Sequence, residues 1–181
     1  MGKCNLFSLS VVILIAGLLF GGCAATGGVK RDFARTTIDV GVVVSNVEKA
    51  AQFYKNALGF TEVTGFDVSA KMGAGSGLTD NQPFHVRVMV LGEGPTATKI
   101  KLMEFPYRPG STIDNRFIHS SYGYSYLTIF VTDTTAALER AKKAGALPLK
   151  EPYQIRGGEN YLTLVRDPDG NLIELVGPLG D

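Results

Sequence analysis

The feature that most constrains this chain is that its pattern runs twice. Residues 36–44, TTIDVGVVV, form a β-branched run broken only by Asp39 and Gly41, and residues 126–131, YLTIFV, repeat it; both read as strands. A helix signal follows each. Ser45 stands three residues before Glu48, the spacing of a capping box. Beyond it Val47, Ala50, Ala51, Tyr54, Ala57 and Leu58 share one helical face, and Gly59 is the stop. In the second copy Asp133 is the expected N-cap, Ala137, Leu138, Ala141 and Ala144 form the face, and Gly145 ends it. Setting Asp39 on Tyr126 brings Val44 onto Val131, Ser45 onto Thr132 and Ala57 onto Ala144. Such a chain is expected to fold as two like units sharing a core.

The first unit continues with strands expected over 60–68, 84–91 and 98–105. Between the first two lies AKMGAGSGLTDNQP, residues 70–83, whose Gly, Ser, Asn and Pro content reads as a surface loop. Its GAGSG lacks the Lys-Ser or Lys-Thr pair of a phosphate loop, and no helix is expected to open there. The second unit has a strand near 147–149, a loop through Pro152 and Gly158, and then GGENYLTLVRDPDGNLIELVGP, residues 157–178. This last stretch is a hairpin. Asp167 can bond the backbone ahead of it, Pro168 presets φ, and Gly170 tolerates the left-handed return. On the returning strand Ile173 and Leu175 share one face, and Leu172, Glu174 and Val176 share the other. Glu174 is thus a carboxylate inside an apolar run, where an acid needs a partner.

The N-terminus lies outside this pattern. VVILIAGLLF, residues 11–20, is too short to span a bilayer and follows a basic start, as a signal peptide does. It ends in Phe-Gly-Gly-Cys, which resembles a bacterial lipobox, with Phe20 where Leu is usual. The only cysteines are Cys4, inside the signal, and Cys23, at its end, so the exported part carries no disulfide and Cys23 is the expected lipidation site. The expected division is a signal over 1–22, a tether over 23–35 and a domain over 36–179, with modules at about 36–106 and 124–179. The expected location is the bacterial cell envelope, on the outer membrane or periplasmic face if the source is Gram-negative. Contact with the membrane is through the lipid alone. A formal net charge of +1 supplies no field for nucleic acid.

VGVVVSNVEKAAQFYKNALGF, residues 40–60, and RDPDGNLIELVGP, residues 166–178, resemble the vicinal oxygen chelate superfamily of glyoxalase I, bleomycin resistance proteins and extradiol dioxygenases. The resemblance spans residues 36–178 and implies an α+β fold: two βαβββ modules forming a U-shaped mixed-sheet cavity with helices outside. Modules in that superfamily pair within one chain or between two, so a homodimer stays open. The family's four inward site positions fall here on Asp39, Lys101, Tyr126 and Glu174. Only Glu174 matches the usual His and Glu ligands. Protonated Lys101 has no lone pair, and Tyr126 is a poor ligand while its phenol keeps its proton. The expectation is therefore a site with no metal, in which Lys101 pairs with Asp39 and Glu174 and the Tyr126 hydroxyl bonds one acid. The alternative is Mg, Mn or Ca held by Asp39 and Glu174 with help from His85 or Glu104.

Strand alternation extends this reading. With Asp39 and Lys101 inward, Val40, Val42, Val44, Ile100, Leu102, Leu127, Ile129 and Val131 face the helices. Val43, Lys99, Met103, Thr128 and Phe130 are then left for a ligand. On the third strands His85, Arg87, Met89, Tyr161 and Thr163 are taken as the inward set, which would give one wall a positive character suited to a carboxylate. Glu104 is expected at the rim, and His119 in a linker. Two functions follow. One is a binding module, similar to bleomycin resistance proteins, for a small molecule with an anionic group. The other is an enzyme of lyase, isomerase or dioxygenase type, with Asp39 or Glu174 as base and Lys101 stabilising developing negative charge. A scaffold for envelope partners, marked by an occluded cavity and a large apolar patch, is a third.

Overall fold

The computed structural model describes residues 33–180, and the expected signal peptide and Cys23 lie outside them. Two four-stranded mixed sheets are built to one plan. In the first, β1 (Asp39–Val43), β2 (Thr61–Val68), β3 (Phe84–Leu91) and β4 (Thr98–Met103) lie in the order β1-β4-β3-β2. In the second, β5 (Tyr126–Phe130), β6 (Tyr153–Gln154), β7 (Asn160–Arg166) and β8 (Leu172–Pro178) lie in the order β5-β8-β7-β6. The first strand of each sheet pairs in parallel with the last, and the remaining pairs are antiparallel. The two modules expected from the repeat and the α+β class implied by the resemblance are present.

Helices α1 (Val47–Asn56) and α3 (Thr134–Lys143) follow the first strand of each module, and between them in the chain lies the short α2 (Ala70–Ser76). α1 and α3 bury Ala50, Ala51, Phe53, Tyr54, Ala137, Leu138 and Ala141 against Ile100, Leu102, Met89, Val165, Ile173 and Leu175. One core thus joins the helix-covered faces of both sheets. Burying a Leu or Ile side chain contributes about 1.5–3 kcal/mol, so these apolar rows hold each sheet's orientation.

Four local expectations are corrected. Asn46, not Ser45, caps α1 by accepting from the Lys49 amide, while the Ser45 amide donates to Asp169 across the modules. The Gly-rich stretch folds as α2, capped by Ser69 and ended by Gly77 in the left-handed region. Its Gly content is tolerated because the Ser69 cap and a left-handed stop close the turn at both ends. The strand expected near 147–149 is a single bond from the Leu149 amide to the Leu164 carbonyl, and the fourth partner of the second sheet is β6. The last first-module strand ends at Met103, because the Glu104 carboxylate turns to accept from the Val47 amide at the start of α1.

The hairpin turn is built as its residues predict. Asp167 accepts from the amides of Asp169 and Asn171 and from the Asn171 side chain, and Gly170 sits at φ +86°. The turn sets the register of β7 on β8, which places Leu164 opposite Glu174 and Val165 opposite Ile173.

Candidate functional site

Register decides which side chains share the open face of each sheet. Directly paired residues lie on the same side, so Asp39 with Lys99, and Gly41 with Lys101, place these groups together on the face away from α1. Val88 sits opposite Lys101 and Val86 opposite Met103, adding an apolar row with Val68 and Phe84 beside it. On the second sheet Tyr126 pairs with Leu172, Thr128 with Glu174 and Phe130 with Val176, all on the open face. Val40, Val42, Ile100, Leu102, Leu127 and Ile129 turn toward the helices, as expected.

Asp39 is the most constrained group here. Its side chain is 12% exposed, and one carboxylate oxygen, Oδ2, lies 3.0 Å from the Lys101 ammonium and 2.7 Å from Arg35. The other, Oδ1, is buried without a hydrogen-bond partner among the described residues. The adjoining Lys101 ammonium holds the Asp39 carboxyl below its usual range, burial opposes this, and Arg35 adds to the lowering. The pairing of Lys101 with Asp39 is as expected; Arg35, assigned by its sequence position to the tether, is the residue missed. Its place four residues before Asp39 was the available signal.

Glu174 does not join that pair. Its Oε2 accepts from the Thr128 hydroxyl at 2.5 Å, and it makes no ion pair among the described residues. The Tyr126 hydroxyl bonds neither acid, so Thr128 fills the role expected of Tyr126. Two separate elements result: a carboxylate held by two cations on one sheet, and a carboxylate held by a hydroxyl on the other.

The third-strand assignments are reversed. Arg87 faces α1, where its guanidinium bonds Glu62 at 2.6 and 2.8 Å and Glu48 at 2.6 Å. Met89 is fully buried in the core and Thr163 is 2% exposed, on the helix side with Val165. Tyr161 alternates onto that side as well, and His85 shares the side of Arg87, where its Nδ1 lies 2.7 Å from Asp67. The inward residues are instead Val86 and Val88 on β3, and Leu162 and Leu164 on β7, opposite Val176 and Glu174. Polarity misled here because Arg87 has two acids waiting on the helix side. The anionic preference expected of the open face therefore loses His85 and Arg87 and keeps Lys99 and Lys101. Glu104 caps α1, and His119 stacks on Phe117 in the linker.

The donor set does not suit a divalent ion. A protonated amine with no lone pair sits against Asp39, His85 lies on the opposite side of its sheet, and no three His, Cys, Asp or Glu side chains among the described residues converge as ligands.

Comparison with known proteins agrees with the fold. The model of the Glyoxalase/Bleomycin resistance protein/Dioxygenase superfamily matches residues 36–175. A probable lactoylglutathione lyase of Vibrio cholerae is 26% identical over 133 residues, covering 74% of this chain and 83% of its own. The lactoylglutathione lyase of Salmonella typhimurium is 24% identical over 133 residues, covering 74% and 85%. Among solved structures, a glyoxalase family protein from Bacillus cereus superposes with a TM-score of 0.67 at 24% identity, covering 84% of this chain and 99% of that one. With its paired modules, its register and this match over most of its length, the chain belongs to the Glyoxalase/Bleomycin resistance protein/Dioxygenase superfamily.

Proposed function

We propose that this protein is an exported, lipid-anchored binding module that holds a small molecule against its open sheet faces without a divalent metal. The observation that carries this is the Lys101 ammonium 3.0 Å from Asp39, where a side-chain cation already balances the acid. A metal placed there would have to displace Lys101 and overcome its repulsion. Lys99, which makes no ion pair among the described residues, is the group left to meet an anionic or oxygen-rich ligand. Val43, Met103, Thr128 and Phe130 supply its apolar and hydroxyl contacts, as the strand alternation expects. Cys23 carries the anchor, which sets the protein at the cell envelope.

A second reading, an enzyme, is favoured by the buried, unpartnered Oδ1 of Asp39 and by the lyase names of the relatives. To act as a base Asp39 would have to be opened to a substrate at Oδ1, and Lys101 beside it would then stabilise the negative charge that develops.

Native mass spectrometry of the full chain purified from its source tests whether a small molecule or a divalent ion is bound. A retained small molecule and no divalent ion support the binding module. A bound ion lost together with the small molecule on Asp39→Ala overturns it. The same spectrum reads monomer against homodimer.

A further inference from the structure

A cavity of about 220 Å³ lies along the seam between the two sheets, apart from the paired acids. Its walls include Val40 and Val42 from β1, Tyr126 and Leu127 from β5, Ile173 from β8, and Tyr54 from α1; Asp39, Lys101 and Glu174 take no part in it. Both β1 and β5 are terminal strands of their sheets, hydrogen-bonded on one side only. The seam is therefore bordered by backbone donors and acceptors as well as by apolar side chains.

Tyr54 gives this cavity its chemistry. The residue is 1% exposed and lines the cavity, and its hydroxyl, which makes no hydrogen bond among the described residues, is open to that cavity rather than sealed: Asp39 Oδ1 is the one sealed side-chain polar atom without a partner among them. Its ring is fixed by edge-to-face contacts with Phe53 and Phe60, each at 5.5 Å between centroids. Burial, with the negative charges of Asp167 and Asp169 nearby, raises the phenol well above its usual value, so the group stays a donor. Two half-buried polar groups of the wall are committed. Asn171 donates to Asp167 and accepts from Asn115, and the Ser125 hydroxyl donates to the Ile118 carbonyl.

We propose that this seam is a second ligand site, for an uncharged, mostly apolar molecule of single-ring size that carries one hydrogen-bond acceptor for Tyr54. Size sets the upper limit, since apolar cavities of about 150 Å³ take a benzene ring. Charge sets the other limit: burial keeps the phenol protonated, and the nearby Asp167 and Asp169 carboxylates would repel an anion. The cavity shares Val43 and Tyr126 with the open faces but none of Asp39, Lys101 and Glu174.

Acetophenone, with a carbonyl acceptor, and ethylbenzene, of the same shape without it, are the probes. Titrated into the full chain and followed by methyl NMR, acetophenone is expected to saturate with shifts at Val42, Leu127 and Ile173. Tyr54→Phe, which removes only an unbonded hydroxyl, is expected to weaken acetophenone about tenfold and to leave ethylbenzene within about twofold. Lys101→Met is expected to change neither. Absence of saturation by acetophenone, shifts centred on Thr128 and Met103 in place of the seam, or equal weakening of both probes by Tyr54→Phe would each overturn the proposal. The wild-type shift map decides the location even where the variant does not fold.

Discussion

Replacing Lys101 with Met tests the ion pair directly, because Met keeps most of the aliphatic stem and removes the charge. At 3.0 Å and an effective dielectric of about 20, the gross attraction between Lys101 and Asp39 is about 5 kcal/mol. Most of that does not survive as stability. The Lys101 side chain is 34% exposed and screened by solvent, desolvation of Asp39 opposes the pairing, and Arg35 at 2.7 Å remains as a second partner. A net loss of about 1–2 kcal/mol at pH 7 is expected, read from the urea midpoint at constant m-value. The pH dependence carries the sign. Asp39 is depressed below its ordinary value of 3.8, so its contribution is present in full above that value and is lost as pH falls through the lower, folded-state value. The gap between wild type and Lys101→Met should accordingly be full at pH 7 and close below about pH 4. In an Asp39→Asn background the same substitution should cost less than about 0.5 kcal/mol. A deficit that stays constant from pH 7 to pH 3, or one that persists in full in the Asp39→Asn background, would refute the pairing and point to lost packing.

Arg87→Met should destabilise by about 1–2 kcal/mol by leaving Glu62 and Glu48 facing each other without their cation, and should leave ligand affinity unchanged; altered affinity in calorimetry would return Arg87 to the open face. Thr128→Val should lower stability by about 1 kcal/mol in urea denaturation by removing the donor to Glu174, and Thr128→Ser should restore it. Gly170→Ala, at φ +86°, should cost about 1 kcal/mol or more in thermal unfolding, because the hairpin return needs the left-handed region. Lys101→Glu places a carboxylate beside Asp39 in exchange for the ammonium and should confer calorimetric binding of Mn or Mg, with none expected of the wild type.

Much of this fold is written in local pattern. The β3 strand over 84–91, the Asp133 cap and the turn from Asp167 to Gly170 follow from residues within a few positions of each other, and the structure has them there. The open face of β1 and β4 was legible too, because Val40, Val42, Ile100 and Leu102 form an unbroken apolar row that must meet the helices. On β3 and β7 alternation yields two faces without saying which is which. Both rows there can be buried, and the choice depends on distant partners: Glu48 and Glu62 for Arg87, and the register of Leu164 on Glu174. The candidate site was legible by halves for the same reason. Lys101 and Asp39 are on neighbouring strands and meet, whereas the link from Lys101 to Glu174 needed a distance between two sheets that no strand pattern contains. α2 was hidden by composition, since its glycines mask a helix that Ser69 and Gly77 cap at both ends.

A side-chain cation occupies the place beside Asp39 that a divalent ion would need, and the metal-free proposal stands or falls on that pairing. Elemental analysis of the full chain, purified without chelator and then offered Zn, Ni, Mg and Mn in turn, measures it most directly. Far less than one ion per chain is expected in every case, with Asp39→Asn making no difference. One ion per chain that is lost on Asp39→Asn and on Glu174→Gln would contradict it.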